Sequence, residues 1–92
     1  MKLKNRVLVI TGGASGLGQA TARYMVSEKG AKVALLDLNE AAGTATVEEL
    51  GEENAIFCQT DVTSEESIDV AIAAIMDKFG AIHMNVNAAG IP

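Results

Sequence analysis

Short apolar runs alternate with amphipathic stretches along this chain. The first run, Arg6–Thr11, reads RVLVIT, and such continuous apolar character is typical of a strand buried on both faces of a parallel sheet. Similar runs recur at Lys32–Asp37, at Asn54–Gln59 and, with more polar positions, at Ala81–Asn87. The pattern therefore predicts four β-strands.

Three helices are predicted between these strands. The first extends over Ser15–Lys29. Its core face is predicted to carry Leu17, Ala20, Tyr24 and Met25. Asn39 is expected to cap the second helix, which runs to Leu50, and a Thr63-x-x-Glu66 capping box opens the third. Apolar residues then recur in steps of three and four, at Ile68, Ala71, Ile72, Ile75, Met76 and Phe79.

The order β-α-β-α-β-α-β indicates an α/β fold with parallel strands and right-handed helical crossovers. We expect a Rossmann-like parallel sheet of four strands. A fourth strand that returns beside the first creates a switch point, where such sheets bind ligands. The 92 residues are predicted to form part of one domain, over 1–92, with no second domain.

The loop after the first strand reads Thr11-Gly-Gly-Ala-Ser-Gly-Leu-Gly18. Gly12 is expected to turn the chain sharply, Gly16 to let a pyrophosphate approach the backbone, and Gly18 to let the helix pack closely on the sheet. The helix N-terminus offers free N–H groups to phosphate. The loop therefore predicts phosphate or dinucleotide binding, and the alternative is a glycine-rich turn without a ligand. A P-loop is excluded because no Gly-Lys-Ser/Thr sequence is present.

Asp37 ends the second predicted strand, 19 residues after Gly18. A carboxylate there can accept both ribose hydroxyls of adenosine and would repel a 2′-phosphate. Ser15 and Leu38 are uncharged, so NAD is favoured over NADP. The alternative is that Asp37 is a helix-capping or solvated loop acid.

The pattern T-G-x-x-x-G-x-G resembles the cofactor loop of the short-chain dehydrogenase/reductase family. Asp37, Asp61-Val62 and Asn87-Ala88-Ala89-Gly90 follow in the order that this family shows. The resemblance implies a set of cofactor-binding residues: Gly12, Ser15, Gly16, Leu17, Gly18, Asp37, Asp61, Val62, Asn87, Ala88, Ala89 and Gly90. It implies that Asp61 meets the adenine amino group and that Val62 packs against the ring. The runs ITGGASGLGQATA, LLDLN and DVTSEES are most similar to 3-hydroxyacyl-CoA and 17β-hydroxysteroid dehydrogenases of the type-10 kind.

The fourth strand departs from the family pattern. Asn87-Ala88 stands where the family has two asparagines, which predicts the loss of a hydrogen bond between strands. His83 and Asn85 alternate with apolar residues, a pattern that suits a strand with one wet face. We therefore expect His83 to face the surface rather than to act as a catalytic base.

The family's catalytic residues are a Tyr-x-x-x-Lys pair and a serine on the preceding strand. Here the single tyrosine, Tyr24, is followed four positions later by Glu28. No catalytic residue is therefore assigned. We expect the NAD-binding portion of an oxidoreductase that acts on a secondary alcohol or ketone, incomplete relative to the full family fold and inactive by itself. The alternatives are a self-standing NAD- or nucleotide-binding module and a structural β-α unit that oligomerises through its sheet edges.

Composition excludes several other classes of function. The net charge of −5 does not provide the basic surface of a nucleic-acid or membrane-surface binder. One cysteine, Cys58, and one histidine permit neither a disulfide nor a Cys-rich zinc site, so no metal is expected and a reducing, cytoplasmic setting is predicted. The expected partners are NAD, a small-molecule substrate only in a longer form, and a second copy in a homo-oligomer, because the fourth strand leaves an open sheet edge.

Overall fold

The computed structural model describes residues 3–88, which form a parallel sheet and three helices. The strands are β1 (Val7–Thr11), β2 (Lys32–Asp37), β3 (Ala55–Gln59) and β4 (Met84–Asn87). The helices are α1 (Gly16–Lys29), α2 (Glu40–Leu50) and α3 (Glu65–Phe79). The predicted alternation of strands and helices, and with it the Rossmann-like α/β class, is confirmed.

The sheet has the strand order β3-β2-β1-β4, and every pairing is parallel. Thr11 at the end of β1 lies between Leu36 of β2 and Asn87 of β4. The crossovers therefore reverse direction beside β1, and the predicted switch point lies at its carboxyl end.

Two apolar layers hold the helices on opposite faces of the sheet. On one face, Leu8, Ile10 and Leu35 pack with Ala22 of α1 and with Val47 of α2. On the other face, the core consists of Val7, Val9, Ala34 and Leu36 with Ala71 and Ile75 of α3. Because successive residues of β1 and β2 serve opposite layers, the buried part of each strand, residues 7–10 and 33–36, must be apolar at every position.

The expected core face of α1 is wrong at Leu17, Ala20 and Tyr24, which are exposed, and is confirmed at Met25, which packs against the core. Tyr24 is 50% exposed and Leu17 is 64% exposed, whereas Gly18 and Ala22 are the residues that α1 buries. These small residues permit a close approach of the helix backbone, and Met25 and Val26 add partly buried contacts with the core. Tyr24 instead lies beside Lys29, whose ammonium nitrogen is 5.6 Å from the centre of the tyrosine ring.

Helix α3 begins one residue later than the predicted capping box. Its cap is Ser64, whose side chain accepts a hydrogen bond from the Ser67 amide, while Thr63 bonds to Asp61. The apolar stripe of this helix is only partly covered. Ala71 and Ile75 are buried, but Ile72 and Met76 remain exposed.

Strand β4 is shorter than the predicted Ala81–Asn87 segment. His83 precedes it and is exposed, as expected, yet its ring is engaged: the Val7 amide donates to Nδ1 at 2.9 Å. The His83 amide in turn donates to the Val7 carbonyl at 2.9 Å. Asn85 is exposed as expected, but Ile82 and Met84 on the alternate positions are exposed as well, so within the described residues the wet surface is not confined to one face. Within residues 3–88, no helix has the length and apolar character needed to cross a membrane.

Candidate functional site

The glycine-rich loop leaves β1 by a sharp turn at Gly12, whose φ is 72°. This left-handed conformation is one that glycine adopts without the steric penalty of a side chain. Ser15 then caps α1. Its hydroxyl donates to the Gly12 carbonyl at 2.7 Å and accepts from the Gly18 amide at 3.0 Å. Ser15 thus closes the loop on itself and fixes the direction in which α1 begins.

Two amides in the first turn of α1 are left for a ligand. The N–H groups of Gly16 and Leu17 have no acceptor among residues 3–88. Both residues are exposed, and no atom lies within 4 Å of the position that a side chain at Gly16 would take. Free amides and a positive helix end over open space suit an anionic group.

Gly18 is required for a different reason. A Cβ at this position would overlap the Gly12 carbonyl oxygen and would lie 2.7 Å from the Gly13 Cα. The close contact that Gly18 permits is therefore with the turn after β1, rather than directly with the sheet as the sequence suggested. The helix and the turn form one compact unit.

Asp37 lies at the carboxyl end of β2, with its carboxylate directed toward this loop. One oxygen, Oδ2, accepts from the Ala14 amide at 3.0 Å, and Oδ1 accepts from the Asn39 amide at 3.0 Å. Asn39, not Asp37, caps α2 by accepting from Ala42. Each carboxylate oxygen has two lone pairs, so both retain the capacity to accept a further hydrogen bond.

The loop and the ends of β2 and β3 surround a cleft of about 350 Å³. Its lining includes Gly12, Ser15, Asp37, Leu38, Asp61 and Val62. Five of the predicted cofactor residues are thereby brought together. Gly16, Leu17 and Gly18 are not among the lining residues and follow Ser15 at the start of α1.

Asp61 and Val62 follow β3 and line the same cleft as Gly12 and Ser15 of the glycine-rich loop. Both are exposed. Asp61 Oδ1 accepts from the Thr63 hydroxyl at 2.6 Å and from the Thr63 amide at 2.9 Å. These bonds, the hydroxyl first, hold the pKa of Asp61 below its ordinary value because they favour the charged form.

We expect Thr63→Val to raise the pKa of Asp61 toward its ordinary value, since the stronger of the two bonds is removed. A depressed carboxyl pKa contributes stability above the pKa of the unfolded chain, and this stability is lost as the pH falls through the folded-state value. The variant should therefore lose less stability on acidification. Carboxyl NMR titration and denaturant unfolding at several pH values measure both effects. Thr44→Val, an exposed change on α2, should leave them unaltered.

The end of β4 meets the same loop. Ser15 Oγ lies 3.3 Å from the Ala88 carbonyl oxygen, and the Ala88 amide donates to the Thr11 carbonyl at 2.8 Å. The Asn87 Oδ1 is 3.3 Å from the Thr11 hydroxyl, so this side chain ties β4 to β1. The predicted site residues Ala89 and Gly90 lie outside the described residues.

The sequence pattern missed Ala14 and Gln19. Ala14 is buried and uses both backbone groups in the loop, because its amide bonds to Asp37 and its carbonyl to the Gln19 side chain. Alanine carries no chemical signal of such a role. Gln19 could be suspected only from its place one residue beyond Gly18.

Cys58 of β3 is a packing residue. It is half-buried and packs against the layer under α3. Burial raises the pKa of its thiol because a low-dielectric surrounding disfavours the thiolate.

Comparison with known proteins places this geometry in a family. The family described as short chain dehydrogenase matches residues 6–92. The chain is 48% identical, over 97% of its length, to human 3-hydroxyacyl-CoA dehydrogenase type-2. It is 42% identical, over 98% of its length, to 3-beta-hydroxysteroid dehydrogenase of Comamonas testosteroni. The chain spans about a third of the length of these relatives, 33% and 35% respectively.

Solved structures give the same result. A 3-ketoacyl-(acyl-carrier-protein) reductase from Brucella melitensis, complexed with NADH, superposes with a TM-score of 0.85 at 31% identity and covers 91% of this chain and 34% of its own. A short chain dehydrogenase/reductase from Burkholderia phymatum, in complex with NAD, has a TM-score of 0.84 at 32% identity. The match covers 92% of this chain and 31% of the Burkholderia chain. Motif order, sheet topology and overall similarity agree, and this chain belongs to the short-chain dehydrogenase family.

Proposed function

We propose that this chain binds NAD and is the NAD-binding portion of a dehydrogenase that transfers hydride between a secondary alcohol or ketone and NAD. One observation carries the proposal: Asp37 and the capping Ser15 of the glycine-rich loop line a single cleft. The carboxylate suits ribose hydroxyls, and the adjoining helix start suits a pyrophosphate. Asp37 fixes the Ala14 amide of the loop, and both of its carboxylate oxygens retain the capacity to accept a further hydrogen bond from a ligand.

The residues present fit a dinucleotide. The free amides of Gly16 and Leu17 would bind the pyrophosphate, and Asp37 would accept the adenosine ribose hydroxyls. Val62, half of whose surface is exposed at the cleft wall, offers an apolar face to the adenine ring, and Asp61 offers an acceptor to its amino group. Bound NAD supplies the nicotinamide that exchanges hydride.

Substrate and catalysis belong to the longer protein in this proposal. Tyr24, the one tyrosine of these 92 residues, has Glu28 where the family's tyrosine has lysine, and it lies on α1, away from the cleft lining. A 3-hydroxyacyl-CoA or a hydroxysteroid is the proposed substrate, supported by the names of the two relatives above. The single cysteine supports a cytoplasmic setting.

We expect the purified 92-residue chain to bind NAD without oxidising a secondary alcohol. Calorimetry measures NAD binding, absorbance of NADH measures turnover, and intact mass confirms that only this chain is present. Turnover by material of 9.5 kDa would contradict the assignment of catalysis to residues outside the chain. Absence of NAD binding by folded protein would refute the proposed function itself.

A second candidate role, association through the sheet edge, is favoured by an uncovered apolar groove. The groove of about 200 Å³ lies beside α3 and β4 and is lined by Val9, Ile68, Ile72, Ile82 and Asn85, among others. Among the described strands, β4 pairs on one side only. An open edge beside exposed apolar surface favours pairing with another chain.

We therefore expect concentration-dependent self-association in sedimentation velocity. Ile72→Lys should weaken it, because the charge would enter the groove. Val70→Lys is the matched control, since Val70 is an exposed residue of α3 outside the groove. A single monomeric species at all concentrations would count against this role.

A further inference from the structure

Ala14, in the middle of the glycine-rich loop, has both of its backbone polar groups hydrogen-bonded to side chains of other elements, Asp37 of β2 and Gln19 of α1. Its amide donates to Asp37 Oδ2 at 3.0 Å, and its carbonyl accepts from Gln19 Nε2 at 3.1 Å. These two groups belong to consecutive peptide planes, one on each side of the Ala14 Cα. Since Ser15 follows directly, the orientation of the second plane sets where α1 and its free amides begin.

The Gln19 side chain is itself held in place. Its Oε1 accepts from Arg23 Nη2 at 3.4 Å. Arg23 binds Glu49 of α2 through two nitrogens, Nε at 2.6 Å and Nη2 at 3.0 Å. If the amide of Gln19 were reversed, its NH₂ would face the guanidinium and its oxygen would face the Ala14 carbonyl, and both contacts would be repulsive. Arg23 therefore holds the Gln19 side chain in the orientation in which its NH₂ group donates to the Ala14 carbonyl of the loop.

We propose that Gln19 is a positioning residue for the glycine-rich loop, and that Arg23 and Glu49 hold it so that α2 is linked to the start of α1. The loop is then ordered before a ligand arrives, which lowers the entropic cost of binding. The consequence for NAD affinity rests on the proposed function, whereas the consequence for the loop backbone does not.

Gln19→Met tests the role, because methionine has a similar length and helix propensity but makes neither hydrogen bond. We expect NAD to bind about fivefold more weakly, the equivalent of one net hydrogen bond. Amide hydrogen exchange should quicken at Ala14 and Ser15 and stay unchanged at Leu35 in the sheet. Gln19→Lys, which keeps a donor toward the Ala14 carbonyl, should recover part of the NAD affinity.

Arg23→Met should weaken NAD binding less than Gln19→Met does, because Arg23 acts through Gln19 and its ion pair is half-exposed. The double variant should bind NAD no more weakly than Gln19→Met alone, since the two residues act in series. Additive losses would overturn the link through Arg23. Ser27→Ala removes a different hydrogen bond of α1, from Ser27 Oγ to the Arg23 carbonyl, and should change neither NAD affinity nor loop exchange.

The outcomes separate this inference from the proposed function. If wild-type protein binds NAD and Gln19→Met binds it equally well with unchanged exchange at Ala14, Gln19 has no positioning role. If wild-type protein does not bind NAD, the proposed function fails. Exchange at Ala14 and Ser15 in Gln19→Met then decides the positioning role by itself, with local quickening in its favour and unchanged rates against it.

Discussion

Asp37→Ala is expected to weaken NAD binding by about 10- to 100-fold, as the loss of charge-assisted hydrogen bonds implies. The carboxylate would accept the ribose hydroxyls, and it also accepts the Ala14 amide at 3.0 Å, so the variant loses ligand contacts and loop order together. The preference for NAD over NADP should fall as well. A negative charge beside the cleft repels a 2′-phosphate, and alanine does not.

Calorimetric titration of NAD and NADP into both proteins measures this effect. Asn39→Ala is the matched control, two residues away. The Asn39 side chain caps α2 by accepting a hydrogen bond from the Ala42 amide. Its removal should lower the free energy of unfolding by about 0.5–2 kcal/mol. Asn39 is not among the residues that line the cleft, so NAD affinity should stay the same. Unchanged NAD affinity in Asp37→Ala would refute the ribose assignment.

Alanine substitution at two glycines of the loop should change the stability of the fold in opposite directions. At Gly18 a Cβ would overlap the Gly12 carbonyl oxygen and approach the Gly13 Cα. The turn or the helix must therefore shift, and we expect Gly18→Ala to destabilise the fold by about 1–3 kcal/mol, as overpacking does. NAD affinity should fall with it, because the loop changes shape.

Gly16→Ala should instead raise the free energy of unfolding by about 0.4–1 kcal/mol, because alanine leaves the unfolded chain fewer conformations and nothing lies within 4 Å of the new Cβ. NAD affinity should nevertheless fall, since the methyl group would lie where the pyrophosphate must approach the backbone. Denaturant unfolding and calorimetry on both variants test the pair. A Gly16→Ala protein that binds NAD like wild type would place the pyrophosphate elsewhere.

The hydrophobic pattern predicts the strands well here because the buried parts of β1 and β2, residues 7–10 and 33–36, serve two buried layers and must be apolar. It misplaces the core face of α1 because Gly18 and Ala22, the buried residues, are small and add little to an apolar stripe. It also marks Ile72 and Met76 as core residues, although they are exposed in the described part of the chain. Periodicity shows which face of a helix is apolar, but not how much of that face is covered.

Local propensity is a weaker guide where packing decides. Gly43 is a poor helix former inside α2, yet a side chain there would overlap the Phe57 ring of β3, so close packing of α2 on the sheet requires the glycine. The loop motif and Asp37 could be found from spacing alone, since a parallel sheet brings the ends of β1 and β2 together. The Gln19–Arg23–Glu49 chain could not, because it joins two helices through side-chain orientations that no short motif encodes.

Amide NMR of the 92-residue chain during titration with NAD tests most directly whether the dinucleotide lies over the glycine-rich loop. We predict saturable shift changes that are largest at residues 12–18 and at Asp37, Asp61 and Val62, with the Gly16 and Leu17 amides moving as they gain a phosphate acceptor. The proposed site would be contradicted by folded protein that shows no saturable change, or by changes confined to the apolar groove around Ile72 and Ile82.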